Sequence, residues 1–370
     1  MNNKVSVRKC DKYDLFDVYN LIDEIYQRTE GPDPKGKKVL VKPNILLDTD
    51  PSRCVTTHPV VVEAMIRFLQ TEGAEVFVGD SPSIHLRDFA PEKSGIKDVC
   101  ERTGANWIDF KINPLEKNLR KTKIKIASVV DEVDLVISLP KFKNHELVYF
   151  TGAIKNTLGL VPGFVKGKQH ALYQSRSNFA EFLVDLNEAV LPHYFLMDGI
   201  IGMEGPGPGN GMPKKVGVLI GSTNPLIVDI IANSIAGYEP LTVPTTKVAF
   251  FRNKWLSSMD DISYDGPALN QLRISSFVKI PVTDDTNISL RFIRRRIKAL
   301  RKFDRRPVFI HENCTGCLQC VKICPVNAIS EHPVKNNYIV LTDKKCIRCF
   351  CCSEVCIYDG VRIRRKVFGV

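Results

Sequence analysis

The spacing of nine cysteines late in the chain constrains this sequence more than any other feature. Residues 314–325 read C-T-G-C-L-Q-C-V-K-I-C-P, and residues 346–356 read C-I-R-C-F-C-C-S-E-V-C. Both runs follow C-x2-C-x2-C-x3-C when Cys352 is taken as the third member of the second, which leaves Cys351 as a spare thiol. Cys10, Cys54 and Cys100 are scattered elsewhere. A secreted disulfide framework does not bunch its thiols in this way. A zinc ribbon needs two C-x2-C knuckles roughly a dozen or more residues apart and four ligands in all, whereas these runs offer twice that number.

The spacing instead predicts two [4Fe-4S] clusters. One tight loop can offer three thiolates while the fourth comes from elsewhere, and in the bacterial two-cluster pattern the fourth cysteine of each run serves the other cluster. The expected sets are Cys314, Cys317, Cys320 and Cys356 for one cluster, and Cys346, Cys349, Cys352 and Cys324 for the second. Gly316 permits a tight turn in the first run; the second has Arg348 there, and Ile357 where the first has Pro325. Apolar Val321, Ile323, Val326, Ile329, Ile347 and Val355 are placed to exclude water, and Cys351 is expected to pack beside the second cluster.

The 370 residues are 44% hydrophobic and 25% charged, a balance that excludes a disordered or collagen-like chain and allows more than one core. No apolar run approaches the roughly 18 residues of a spanning helix, and MNNKVSVRKCDKYD lacks the apolar stretch of a signal peptide, so a cytoplasmic protein with no membrane span is expected. The formal charge of +11 is concentrated: residues 291–306 hold nine Lys/Arg against one Asp, and RIRRK at 362–366 adds four more positive charges. Ile293, Ile297 and Leu300 recur at helical spacing, which reads as an amphipathic basic helix. It serves either as a solvated linker or as a dock for an acidic redox partner. Aromatic interleaving limited to Phe292 and Phe303 argues against nucleic acid. The expected domains are 1–290 (α/β), 291–307 (basic helical linker) and 308–370 (a small α+β two-cluster domain with a basic tail).

Ahead of residue 290, β-branched strings alternate with helical patterns, the signature of an α/β fold with a mainly parallel sheet and flanking helices. Strands are expected at 4–9, 38–44, 74–80, 134–141, 193–199 and 216–221, with helices near 12–29, from Pro59 to Gln70, and near 226–236. Ligands of such sheets bind beyond the carboxyl ends of the strands. Those ends deliver Lys42, Pro43 and Asn44; Asp80, Ser81 and Ser83; Lys141, Lys143, Asn144 and His145; and Asp198 followed by Glu204. Lys155, Asn156, Lys166, Lys168 and His170 fall in a segment too rich in Gly and Lys for a plain core helix.

Each has an ordinary alternative, since strand-end aspartates cap turns and Ser81 and Ser83 serve turns in the absence of a G-x-S-x-G elbow. Residues 199–213, GIIGMEGPGPGNGMP, satisfy neither nucleotide-binding fingerprint and read as a shaped lid or wall. Lys42, Lys141, Lys143 and Lys155 together suggest a pocket for a small carboxylate or phosphate. Lys141, His145, Lys155, Asp198 and Glu204 are the expected catalytic candidates.

Residues 308–360 resemble a bacterial-type two-[4Fe-4S] ferredoxin module. VLVKPN (39–44), TTHPVVVEAMIRFLQTEGAEVFVGDSPS (56–83), LPKFKNHELVYFTGAIKNTLGLVPG (139–163) and MDGIIGMEGPGPGNG (197–211) resemble the family called domain of unknown function 362. The resemblance implies iron-sulfur binding and supplies no substrate or catalytic residue. Asn224-Pro225 departs from the Asp-Pro expected in relatives, which leaves Asp229 as the nearest carboxylate. The first functional expectation is an oxidoreductase that passes electrons through the clusters to a small anion in the α/β domain. The alternative is a non-catalytic electron carrier or a maturation factor for a partner protein.

Overall fold

The computed structural model describes residues 2–82, 91–173, 175–282, 305–335 and 337–364. Ser83, His85 and residues 291–304 of the basic segment lie outside the described residues, as do the side chains of Lys168 and His170.

In chain order the α/β part comprises β1 (Lys4–Lys9), α1 (Leu15–Arg28), β2 (Lys38–Pro43), α2 (Pro59–Thr71), β3 (Glu75–Asp80), α3 (Ile96–Thr103), β4 (Asn106–Asp109), β5 (Leu115–Asn118), β6 (Lys123–Ile126), β7 (Leu135–Leu139), β8 (Lys141–His145) and β9 (Tyr149–Phe150). It continues through α4 (Gly152–Asn156), α5 (Gly163–Leu172), α6 (Arg176–Val190), β10 (Tyr194–Glu204), β11 (Met212–Ser222), α7 (Pro225–Ile235), α8 (Pro244–Phe251), β12 (Ser263–Asp265) and α9 (Leu269–Leu272). The sheet order is β12-β1-β11-β10-β7-β2-β3-β4, parallel except where β11 meets β1 and β10. Helices α1 to α3 cover one face through Val18, Ile22, Val62, Ile66 and Val99, and α4, α6 and α7 cover the other through Ile154, Phe182 and Ile231. The fold is therefore a mainly parallel α/β sheet with helices on both faces, and its strands read as continuous apolar runs because neither face meets water.

Local chemistry sets the ends of these elements. Asp14 caps α1 by accepting from the backbone N–H of Phe16 and Asp17, while Pro59 and Pro225 open α2 and α7, where a missing N–H costs nothing. Asn224 caps α7, and its side-chain amide donates to the Trp255 carbonyl at 2.6 Å. An aspartate could not make that second bond, which accounts for asparagine at this position.

Residues 199–213 differ from the expected loop. β10 runs on to Glu204 and β11 starts at Met212, so only 205–211 remain as the turn. The hairpin can extend because Gly199 and Gly202 leave room for Phe142 and Val218, and a slip in register between Gly199 and Ile201 absorbs the bend. After Pro140 the chain forms β8, a polar strand buried at all five positions and paired with β10, which puts Lys141 opposite Asp198.

The cysteine-rich part contains β13 (Arg306–Phe309) paired with β16 (Val361–Arg364), β14 (Ile329–Glu331) paired with β15 (Ile339–Leu341), and two short helices, α10 (Gln319–Lys322) and α11 (Cys351–Glu354). Arg306 and Pro307, expected to end a helical linker, open a strand instead, and Arg362 and Arg364 of the expected tail pair with it. Proline cannot continue a helix interior but is tolerated at a strand edge. The two cysteine runs take matching backbone paths: Gly316 and Arg348 both have positive φ (72° and 60°), as do Leu318 and Phe350 (56° and 62°). Arg348 accepts the left-handed conformation that Gly316 adopts without steric cost and is held there by Asp343 at 2.7 Å.

This small domain rests on the carboxyl-end edge of the sheet. Leu46, Leu47, Val55 and Met203 pack with Ile323, Cys351 and Val355, and burying each large aliphatic side chain is worth about 1.5–3 kcal/mol. The turn 205–211 seats it: Gly209 lies so close to the Glu354 carbonyl that a Cβ would collide, and Asn210 bonds to Ser353 and Asp359. Arg53 donates to the Ile357 carbonyl at 2.7 Å. The Gly/Pro segment is thus a wall against which the cysteine domain docks.

Candidate functional site

Cys314, Cys317, Cys320 and Cys356 ring one small cavity, closed by Phe309, Leu318, Ile339 and Val361. The Cys320 thiol is pushed up to about 12 by burial, with Cys356, Cys317 and Cys314 as its neighbours. Cys352 is raised well above the usual thiol range by burial, and its neighbours are Cys349, Cys320, Cys346 and Cys324. Cys320 has three neighbours from the first expected set, whereas Cys352 has three from the second together with Cys320 of the first. Among the described residues no three His, Cys, Asp or Glu groups converge tightly enough to chelate a single ion. Thiols arranged around an apolar cavity suit a larger sulfur-bridged cluster, for which thiolates would be the ligands and whose charge would offset the cost of ionising buried thiols. A backbone N–H, that of Ala328, already points at the Cys324 sulfur at 3.1 Å.

The two sets differ in their surroundings. Cys317 is exposed, whereas Cys351 and Cys352 are buried. Cys351 hydrogen-bonds to Cys349, which lowers the Cys349 thiol, and it faces a second cavity of about 50 Å3 between the two parts of the molecule.

That cavity is lined from the sheet side by Asn44, Asp80, Ser81, Lys143, Thr151, Lys155, Asn156 and Lys166, and from the cysteine domain by Ile323, Cys351, Glu354 and Val355. On its floor Lys42 is locked by Asp80 at 3.0 Å, the Pro43 carbonyl at 2.7 Å and Asn156 at 3.2 Å. Gly159 is required there, since a Cβ would overlap both Asp80 and Lys42. Above them stand three further lysines. Lys143 donates to the Val55 carbonyl at 2.6 Å, Lys166 donates to the Ser81 carbonyl, and Lys155 has no hydrogen bond or ion pair among the described residues. Burial lowers all three amines, helped by mutual repulsion. The hydroxyls of Ser81 and Thr151 are buried with no hydrogen-bond partner among the described residues. Buried hydroxyl donors left over beside an excess of lysine amines over carboxylates make the cavity complementary to an oxyanion. Since one water needs at least about 10–15 Å3, this volume admits only a few such groups.

The sequence-derived candidates divide between two places. Lys155 lines the cavity, with Lys143. Lys141 and Asp198 do not: they form a closed knot in which Lys141 meets Asp198 at 2.7 Å and Tyr13 at 2.9 Å. Asp198 also accepts from Tyr13 and from the His58 backbone N–H, both at 2.9 Å, and the His58 ring stacks on Tyr13. Burial pushes the His58 imidazole down to about 4. Glu204 accepts from the Val278 N–H at 2.8 Å and lies outside the cavity lining. His145 bridges the two parts of the molecule. Its Nδ1 accepts from the N–H groups of Leu147 and Val148, which places the ring proton on Nε2, 3.1 Å from Glu354. Asp229 serves α4, accepting from Ala153 at 2.5 Å and Ile154 at 3.2 Å, with burial raising its carboxyl to about 7. Sequence reasoning missed Thr151 and Glu354. Thr151 follows a strand too short to recognise, and Glu354 reaches the cavity only because its domain docks there.

An α/β sheet whose strand ends carry a cysteine-ringed module defines an iron-sulfur protein with electron-carrying capacity. A 4Fe-4S binding domain is recognised at residues 307–330. The chain belongs to the family described as Domain of unknown function (DUF362), which matches residues 39–234. A thylakoid-associated protein of Synechocystis sp. is 32% identical over 212 residues, which cover 57% of this chain and 66% of that one, just under two thirds of its length. The lactate racemase apoprotein of Thermoanaerobacterium thermosaccharolyticum superposes over 59% of this chain and 54% of its own at 13% identity and a TM-score of 0.41. No helix among the described residues is long and apolar enough to cross a membrane.

Proposed function

We propose that this protein holds two [4Fe-4S] clusters on its eight motif cysteines and works as an oxidoreductase on a small anion bound between its two parts. The observation that carries the proposal is the shared cavity: Lys143, Lys155 and Lys166 approach it from one side, and Cys351, bonded to Cys349, from the other. Clusters bound there would supply one electron at a time. The protein's own groups do the remaining work. Lys155, Ser81 and Thr151 bind and orient the anion, the Leu46, Val55 and Val355 layer excludes water, and Glu354, tied to His145, fixes the cavity wall. The exposed Cys317 end is where a redox protein partner would exchange electrons, in a reducing compartment such as the cytoplasm.

Anaerobically purified protein is expected to contain about eight iron and eight sulfide per chain. Its reduced chromophore should be reoxidised by one or more small carboxylates or oxyanions. A count near four would remove the second cluster from the proposal. Reoxidation by a partner protein alone would favour the carrier or maturation factor.

A further inference from the structure

The cavity lysines are held in different ways, and the difference assigns them different work. Lys42 is saturated by a carboxylate, a carbonyl and an amide oxygen, and Lys143 is tied to the Val55 carbonyl among other lysines. Lys155 makes no hydrogen bond or close ion pair among the described residues, feels Glu354 only at longer range, and is the natural anchor of an anion. Lys166 reaches the cavity from α5. Its hydrogen bond among the described residues is to the Ser81 backbone carbonyl, an acceptor that neither demands nor supplies charge, so the group can stand as amine or ammonium in the same position.

Resting on the anion-binding reading above, we propose that Lys166 couples anion capture to proton uptake: at alkaline pH it is neutral in the empty cavity, takes a proton from solvent as a small oxyanion enters, and holds that proton against the bound ligand. The groups that face it are Lys42 on β2, Asp80 at the end of β3, Lys155 on α4 and Glu354 on α11. Burial is the main influence on the amine, opposed by Asp80 and reinforced by Lys42 and Lys155, and brings it down to about 7. An entering anion favours the charged form and restores its pKa toward that of an ordinary lysine. The exchange balances as one amine, one solvent proton and one anion giving an ammonium–anion pair. A ligand that is afterwards reduced therefore arrives with its proton already in place.

The sign of the pH dependence follows. Below about pH 7 Lys166 is already protonated and affinity is flat. Above it, affinity falls by up to about tenfold per pH unit, because each binding event must take up a proton.

Sulfate is a suitable probe, since its charge is constant from pH 6 to 9. Calorimetric titration of the full-length holoprotein at pH 8, in two buffers of different ionisation enthalpy, reads proton uptake directly. We expect about one proton per sulfate in the wild type. Lys166→Arg, which keeps a permanent charge, should bind sulfate with no uptake and with flat affinity to pH 9. Lys155→Met should bind at least about tenfold more weakly at pH 7 while still taking up a proton in the concentrations where binding is measurable. Uptake that persists in Lys166→Arg and disappears in Lys155→Met would overturn the assignment while leaving the anion site intact. Absence of sulfate binding to the wild type at any pH would overturn the anion-binding reading itself.

Discussion

Two lysine–carboxylate clusters lie at the same end of the sheet, both drawing a lysine from β8, and they differ in how completely their hydrogen bonds are closed. Around Asp198, each carboxylate oxygen has at least two donors, drawn from Lys141, Tyr13 and the backbone of His58 and Ile200. Around Lys155, three lysine amines face Asp80, already paired with Lys42, and Glu354, while the Ser81 and Thr151 hydroxyls have no partner among the described residues. Both clusters are buried, and both read alike in the sequence. Saturation is what separates them: a closed network holds the fold together, and an open one holds something else.

That contrast can be broken from either side. The largest effect should come from Lys141→Met, which leaves Asp198 buried without its cation. Removing one partner of a buried pair costs about 3–5 kcal/mol, and urea unfolding should show it, with little change in sulfate affinity for the folded fraction. Lys155→Met should do the reverse. Deleting an uncompensated buried charge leaves stability within about 1 kcal/mol of the wild type or slightly above it, while sulfate binding weakens by at least about tenfold. If Lys141→Met abolished sulfate binding and Lys155→Met did not, the two clusters would have been assigned the wrong way round.

Asp229 sharpens the comparison with a smaller effect. It is buried with only backbone donors, and its carboxyl is raised to about 7 from an ordinary value near 4. A raised carboxyl contributes stability that is fully present below the unfolded pKa and is lost as pH climbs through the folded one. Unfolding free energy should therefore decline between pH 4 and 7, and the decline should flatten in Asp229→Asn, whose side-chain oxygen can still accept the Ala153 N–H.

The frame of the molecule was legible in its residues because apolar runs such as KVLV and LVISL can only be doubly covered strands, and because Pro59 and Asn224-Pro225 mark helix starts plainly. The cysteine spacing was legible for the same reason: local geometry demands it. What escaped was long-range. β8, KFKNH, carries no strand signature, yet it is buried at every position because Lys141, Lys143, Asn144 and His145 each find a partner far away in sequence. The lysines at strand ends do gather at this edge of the sheet. Which of them were satisfied depended on Asp198, on the Val55 carbonyl and on a docked helix from the other domain, and no local pattern encodes that.

The central claim is that an anion site adjoins one cluster set and not the other. A potentiometric titration of the holoprotein, following both clusters with and without sulfate, tests it most directly. Placing an anion beside a group that gains an electron disfavours the reduced state, so the potential of the Cys346, Cys349, Cys352 and Cys324 cluster should fall with sulfate. The cluster on Cys314, Cys317, Cys320 and Cys356 should hold steady, and Lys155→Met should abolish the shift. Equal shifts of both clusters, or no shift under conditions where sulfate is bound, would contradict the account.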